Sequence, residues 1–185
     1  MSFFESLTPQ EADTYLRRFL ETERSAVQEM ISDAKKSGVS ADFLIESVVP
    51  FLSWVLGKLK TTPRSPDLSL PEWIRRSTSY QSNLFDFDES SKVLILRSAY
   101  YLGESLVRSF PTLSWATGNP DTAVKNMPVV TGFRYQMELA PMLVLENVFG
   151  RILSGSKSSA DLQEMVSTWV EKVNPQNKSK RIRPD

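Results

Sequence analysis

Histidine and cysteine are both missing from this chain. Imidazole is the commonest general base and a leading transition-metal ligand near neutral pH, so Ser-His-Asp triads and imidazole-bound zinc are excluded. Without thiols there are no disulfides, thiolate metal sites or cysteine nucleophiles. An excess of either charge is missing too. The 22 basic residues balance 22 acidic ones, so no net field draws the molecule to nucleic acid or anionic lipid. Glycine is sparse, with seven scattered residues and no phosphate-cradling loop. Long apolar runs are absent: the most apolar stretch, IESVVPFLSWVLGKL, is too short and too interrupted to span a bilayer. The opening MSFFESLTPQEADTY lacks the basic-then-apolar order of a secretory signal. These absences lead us to expect a cytoplasmic protein with no nucleic-acid partner, no membrane partner and no cofactor. Enzyme chemistry would have to come from carboxylates, a Ser-Lys pair, tyrosine, or magnesium held by oxygen ligands.

The residues present spell mostly helix. At 185 residues the chain fits a single domain, 1–185, with possible sub-units. Thr8-Pro9-Gln10-Glu11 combines a capping box with proline at the first helical position. The apolar stripe of Ala12, Tyr15, Leu16, Phe19, Leu20, Val27, Met30, Ile31 and Ala34 then predicts a long helix ended by Gly38. A second helix is expected after Ser40, kinked or split at Pro50, making a helical hairpin over 8–60. The segment 61–72 carries three prolines and no periodicity, and reads as a linker. A short helix from Pro71 to about Ser79 should bury Trp73 and Ile74. Residues 73–173 read as an α+β part. Asp88 caps a helix to Ser109, strands follow near 112–117 and 127–133, and helices cover 140–153 and 158–173, the last capped by Ser158 or Ser159. A polar tail, 174–185, carries Lys178, Lys180, Arg181 and Arg183 without aromatics. The expected fold class is α+β, mostly helical, with the N-terminal hairpin packed on a helix, small antiparallel sheet and helix unit.

Three constellations invite chemistry. Asp86, Asp88 and Glu89 form the densest acidic group and could bind a divalent cation. The simpler reading makes Asp88 a helix cap and Glu89 a complement to the helix dipole, leaving no metal site. Glu104 shares a helical face with Arg108 and Arg97. It reads as a structural group that fastens this helix to the strand bearing Trp115, with Gly103 beside it allowing another backbone to come close. Ser154 to Lys157 and Ser32 to Lys35 both match S-x-x-K, and two matches in one short chain show how little that spacing signifies. No catalytic residue is assigned. The tryptophans, Trp54, Trp73, Trp115 and Trp169, sit in apolar patterns and read as core; a partly exposed one would be a good interface anchor.

The run AYYLGESLVRSFPTLSW, followed by MPVVTGF and ELAPMLVLENVFGRIL, resembles small bacterial proteins with a YLGE helix, a strand with tryptophan, a P-V-x-GF pattern and a proline-started helix. Some such proteins are thought to be immunity proteins that neutralise a toxin made by the same cell. The resemblance covers about residues 97–150. It implies an α+β fold and a partner in the form of a cognate toxin encoded nearby, and it supplies no catalytic residues. On that basis Asp86, Asp88, Glu89 and Asp121 become the candidate partner-binding acids, suited to a basic toxin site. Two other readings stay open: a metal-dependent enzyme using carboxylates, and a helical adaptor or chaperone in which the hairpin grips a partner helix.

Overall fold

Helix α1, Pro9–Lys36, starts where its cap dictates. The Thr8 hydroxyl accepts from the Glu11 amide, and the Glu11 carboxylate accepts from the Thr8 amide at 2.8 Å. It ends in a Schellman turn: Val39 N–H donates to Ala34 O at 2.9 Å, and Gly38 adopts φ +77°, which costs a glycine nothing. The structure, a computed structural model, describes residues 3–77, 80–81 and 84–173. The basic tail therefore lies outside the described residues.

Helix α2, Ile45–Leu56, begins later than the sequence suggests. Phe43 stands in the left-handed region at φ 63° and breaks the chain direction before the helix. Leu44 occupies the cap position without a side-chain cap. Pro50 neither splits nor ends α2. Its missing N–H deprives only the Glu46 carbonyl, and both residues are exposed, so water can reach the vacancy.

The segment expected to be a linker holds a strand. β1, Thr61–Pro63, pairs antiparallel with β2, Phe85–Phe87, matching Thr61 to Phe87, Thr62 to Asp86 and Pro63 to Phe85. Between them lies α3, Glu72–Arg75, a single turn that leaves Trp73 75% exposed instead of buried.

Helix α4, Glu89–Ser109, is the axis of the molecule. It packs against α1, α2 and α5, Pro141–Leu153, and touches β2, β3 (Ser114–Thr117) and β4 (Pro128–Thr131). The first two helices are thus joined through α4 more than to each other. The second hairpin, β3 Ser114–Thr117 with β4 Pro128–Thr131, aligns Trp115 with Val130 and lies against α1 and α4. Helix α6, Ala160–Glu171, packs on α2. Its start is capped by neither Ser158 nor Ser159; Asp161 reaches back to accept from the Ser158 amide at 2.6 Å and pairs with Lys157. Six α-helices and two two-stranded sheets among the described residues make the fold mostly helical α+β.

One apolar cluster runs from Phe19 on α1 to Val166 on α6. Tyr100 and Tyr101, adjacent on α4, are both fully buried and face opposite neighbours. Tyr101 stacks on Phe51 at 4.0 Å and on Phe43 at 4.8 Å, whereas Tyr100 stacks on Trp115 at 6.3 Å and meets Phe19 edge-on. Each such ring contributes about 1.5–3 kcal/mol through burial, and together they tie α1, α2 and β3 to α4. Val93, near the start of α4, is 45% exposed.

Candidate functional site

Two groups of polar residues stand out: a clasp at the C-terminal half of α4 and an open groove at its N-terminal end.

The clasp brings Glu104, Arg108 and Trp115 together. Arg108 Nε donates to Glu104 Oε1 at 2.7 Å, and Trp115 Nε1 donates to Oε2 across a long 3.4 Å. The Arg108 guanidinium then covers the Phe43 ring at 4.1 Å. One carboxylate thereby links the β3 tryptophan to the loop before α2. The neighbour that Gly103 admits is a side chain and not a backbone: a Cβ at 103 would lie 2.2 Å from the Trp115 six-membered ring. Arg97 does not join this group; it pairs with Glu29 of α1 at 3.8 Å. Below it, Glu23 is only 7% exposed, and its Oε2 has no hydrogen-bond partner. Burial pushes the Glu23 carboxyl above its usual pKa, against an opposing pull from Arg97.

The loop before α2 is held from α4 as well. Tyr101 Oη accepts from Phe43 N–H at 3.2 Å and lies 2.6 Å from Ser47 Oγ. Asp42 Oδ1 accepts from Leu44 N–H. The left-handed Phe43 is over-determined by this network, which explains a helix start that no local pattern announces.

The groove, of about 450 Å³, is lined by Arg64, Phe85, Asp86, Phe87, Lys92, Glu146 and Gly150. It lies between β2 and the facing sides of α4 and α5. Of the acids singled out in the sequence, Asp86 lines it, and Asp88 and Glu89 follow at the start of α4 without lining it. Asp86 pairs with Arg64 at 3.4 Å, Glu89 pairs with Lys92 at 2.6 Å, and Asp88 caps α4 by accepting from the Ser91 amide at 2.7 Å. That hydrogen bond, followed by those from Ser90 and Ser91 side chains, holds the Asp88 carboxyl below its ordinary pKa. Glu146, which sequence reasoning passed over as one polar residue of a helix, makes no hydrogen bond or salt bridge among the described residues; it acts on Lys92 through space. Among the described residues no three acidic side chains converge as a cation site. Asp121 does not line the groove. It lies on the loop between β3 and β4, where its amide donates to Asn119 Oδ1.

The S-x-x-K spacings hold no paired nucleophile and base. Ser154 Oγ lies 2.9 Å from Ser156 Oγ and donates to Arg151 O, while Lys157 is engaged by Asp161. Ser32 and Lys35 sit within α1. Leu68, between β1 and α3, is 78% exposed, and Trp73 on α3 is 75% exposed. Tyr135 is also solvent-facing, on a turn where it and Gln136 both have positive φ.

No helix among the described residues is long and apolar enough to cross a membrane. Comparison with protein-family models, curated proteins and solved structures finds no match for the chain.

Proposed function

We propose that this chain is a non-catalytic binding protein of the immunity type, acting in the cytoplasm to neutralise a cognate protein toxin by occluding its active site or substrate groove. The observation that carries the reading is the groove beside β2: open-sided, about 450 Å³, with Asp86 in its wall and Asp88 and Glu89 next to it. An open cleft of mixed apolar and charged lining suits a protein surface better than an enclosed small-molecule site does. Leu68 and Trp73, both exposed in the chain between β1 and β2, supply the large apolar anchors that dominate binding energy when a partner covers them. The acids are individually engaged as a cap and in ion pairs, a division of labour that fits a charged rim around a contact surface. A toxin that acts on nucleic acid has a basic site, and this rim would complement it.

Co-expression tests the reading. A toxin encoded beside this chain should lose its toxicity in cells that also carry the chain. Protection should fall when Glu89→Lys is combined with Trp73→Ala, two exposed changes that leave the core intact. Absence of protection against every neighbouring toxin would refute it.

A further inference from the structure

The β1–β2 register decides which main-chain groups of this ribbon are spoken for. Arg64 N–H donates to Leu84 O and Asp88 N–H donates to Lys60 O, so the hydrogen-bonded pairs are 64 with 84, 62 with 86 and 60 with 88. Phe85 and Phe87 fall on the alternate positions. Their N–H and C=O groups point away from β1, and among the described residues no backbone or side-chain group bonds to them. On β1 the corresponding outward positions are Thr61 and Pro63, and Pro63 has no N–H to offer. One edge of the ribbon is thus blunted and the other is open.

β2 borders the groove, with Phe85 half-buried and Phe87 only 8% exposed. The lining includes all three residues of β2 together with Lys92, Glu146 and Gly150, and none of Thr61 to Pro63. The far wall is α5, where Glu146 and Gly150 are one turn apart. A Cβ at 150 would meet nothing within 4 Å, so that wall leaves room. The groove's volume is about 450 Å³. Of its charged side chains, Arg64 pairs with Asp86 and Lys92 pairs with Glu89, and among the described residues Glu146 has no ion-pair partner.

We propose that the outer edge of β2 receives an extended segment of the partner protein as an added strand, with a basic side chain of that segment set against Glu146. This rests on the reading of the chain as a protein-binding module and names the form its partner's contact takes. Phe85 and Phe87 supply the main-chain hydrogen bonds, which give affinity. Glu146 supplies the charge that selects a basic strand over an acidic one. Pro63 confines strand addition to this side of the ribbon.

Three probes test the proposal on the 15N-labelled full chain: acetyl-Val-Lys-Val-Lys-Val-amide, its counterpart with both lysines changed to glutamate, and the lysine peptide N-methylated at alternate residues. The lysine peptide should shift the Phe85 and Phe87 amide resonances saturably and slow their hydrogen exchange by about tenfold or more. The glutamate and N-methylated peptides should leave both unchanged. Glu146→Lys, an exposed change, should reverse the preference to the glutamate peptide. Amides of Phe85 and Phe87 that are already slow in the dilute free chain would overturn the proposal, because the edge would be closed by the chain itself. Protection that rises with protein concentration alone would also overturn it, since the occupant would be a second copy. A lysine peptide that shifts neither amide sinks it as well. Should a toxin complex form in which Phe85 and Phe87 exchange as in the free chain, strand addition falls and the binding reading stands. Peptide docking without any toxin partner upholds the open edge and removes the immunity reading.

Discussion

The Trp115 indole occupies the space that a side chain at position 103 would need: a Cβ on Gly103 would lie 2.2 Å from two of its ring carbons. That contact seats β3 on α4 and sets the indole parallel to Tyr100, at an interplanar angle of 8°. Gly103→Ala is expected to displace the ring and cost about 2–3 kcal/mol, the usual scale of overpacking. Chemical denaturation measures the loss, and a shift of the Trp115 indole N–H resonance reports the displacement. An alanine variant as stable as the parent would mean that β3 is not seated by this contact.

Tyr101 makes a separate prediction. Its hydroxyl serves Phe43 N–H and Ser47 Oγ inside the core. Tyr101→Phe keeps the stacked ring and removes the acceptor, so the left-handed Phe43 loses its main-chain anchor. A cost of about 1–3 kcal/mol is expected. Hydrogen exchange at the first turn of α2 should speed up more than exchange in α1.

Buried Glu23 gives stability an unusual pH dependence. Its folded-state pKa is raised by burial, so the folded chain binds its proton more tightly than the unfolded chain does. Its contribution is most favourable below the ordinary value of 4.5 and declines as pH rises through the raised value. Glu23→Gln should therefore stabilise the protein at neutral pH, by on the order of 1 kcal/mol, and the gain should shrink toward acid. Denaturation midpoints of both proteins across a pH series measure that difference directly, since every other carboxylate cancels.

Asp88 behaves oppositely. Hydrogen bonds to its carboxylate hold its pKa down, so the cap supports the fold above the ordinary carboxyl range and is lost as pH falls through the depressed value. Asp88→Ala should lower the melting temperature by about 2–4 °C. Asp88→Asn, which can still accept from the Ser91 amide, should melt close to the parent. A magnesium-dependent activity lost in the asparagine variant would instead restore the carboxylate-enzyme reading.

Legibility in the sequence followed the range of the interactions. The Thr8 capping box, the Gly38 stop and the Asp88 cap are decided within four residues, and α1 and α4 stand where those signals put them. The second hairpin was readable because Gly118 and Asn119 to Asp121 interrupt two β-prone runs. β1 was not, because Thr61–Pro63 is fully exposed and has no apolar alternation; only its distant partner β2 makes it a strand. The late start of α2 is dictated by Tyr101, a residue of another helix. Trp73 was misplaced in the core because an apolar pattern announces burial only where a neighbour exists to cover it, and α3 is a single turn. Of the site, Asp86, Asp88 and Glu89 were visible as a cluster. Glu146 was not, since its place opposite β2 depends on how α5 packs on α4.

The proposed binding of another protein through the β2 face is open to one decisive experiment. The purified chain is mixed with a toxin encoded beside it, and the mixture is mapped by hydrogen exchange. A stoichiometric complex is expected, with new protection concentrated at residues 85–92 and 146–150. A chain that forms no such complex, or one protected only on surfaces away from β2 and α5, would contradict it.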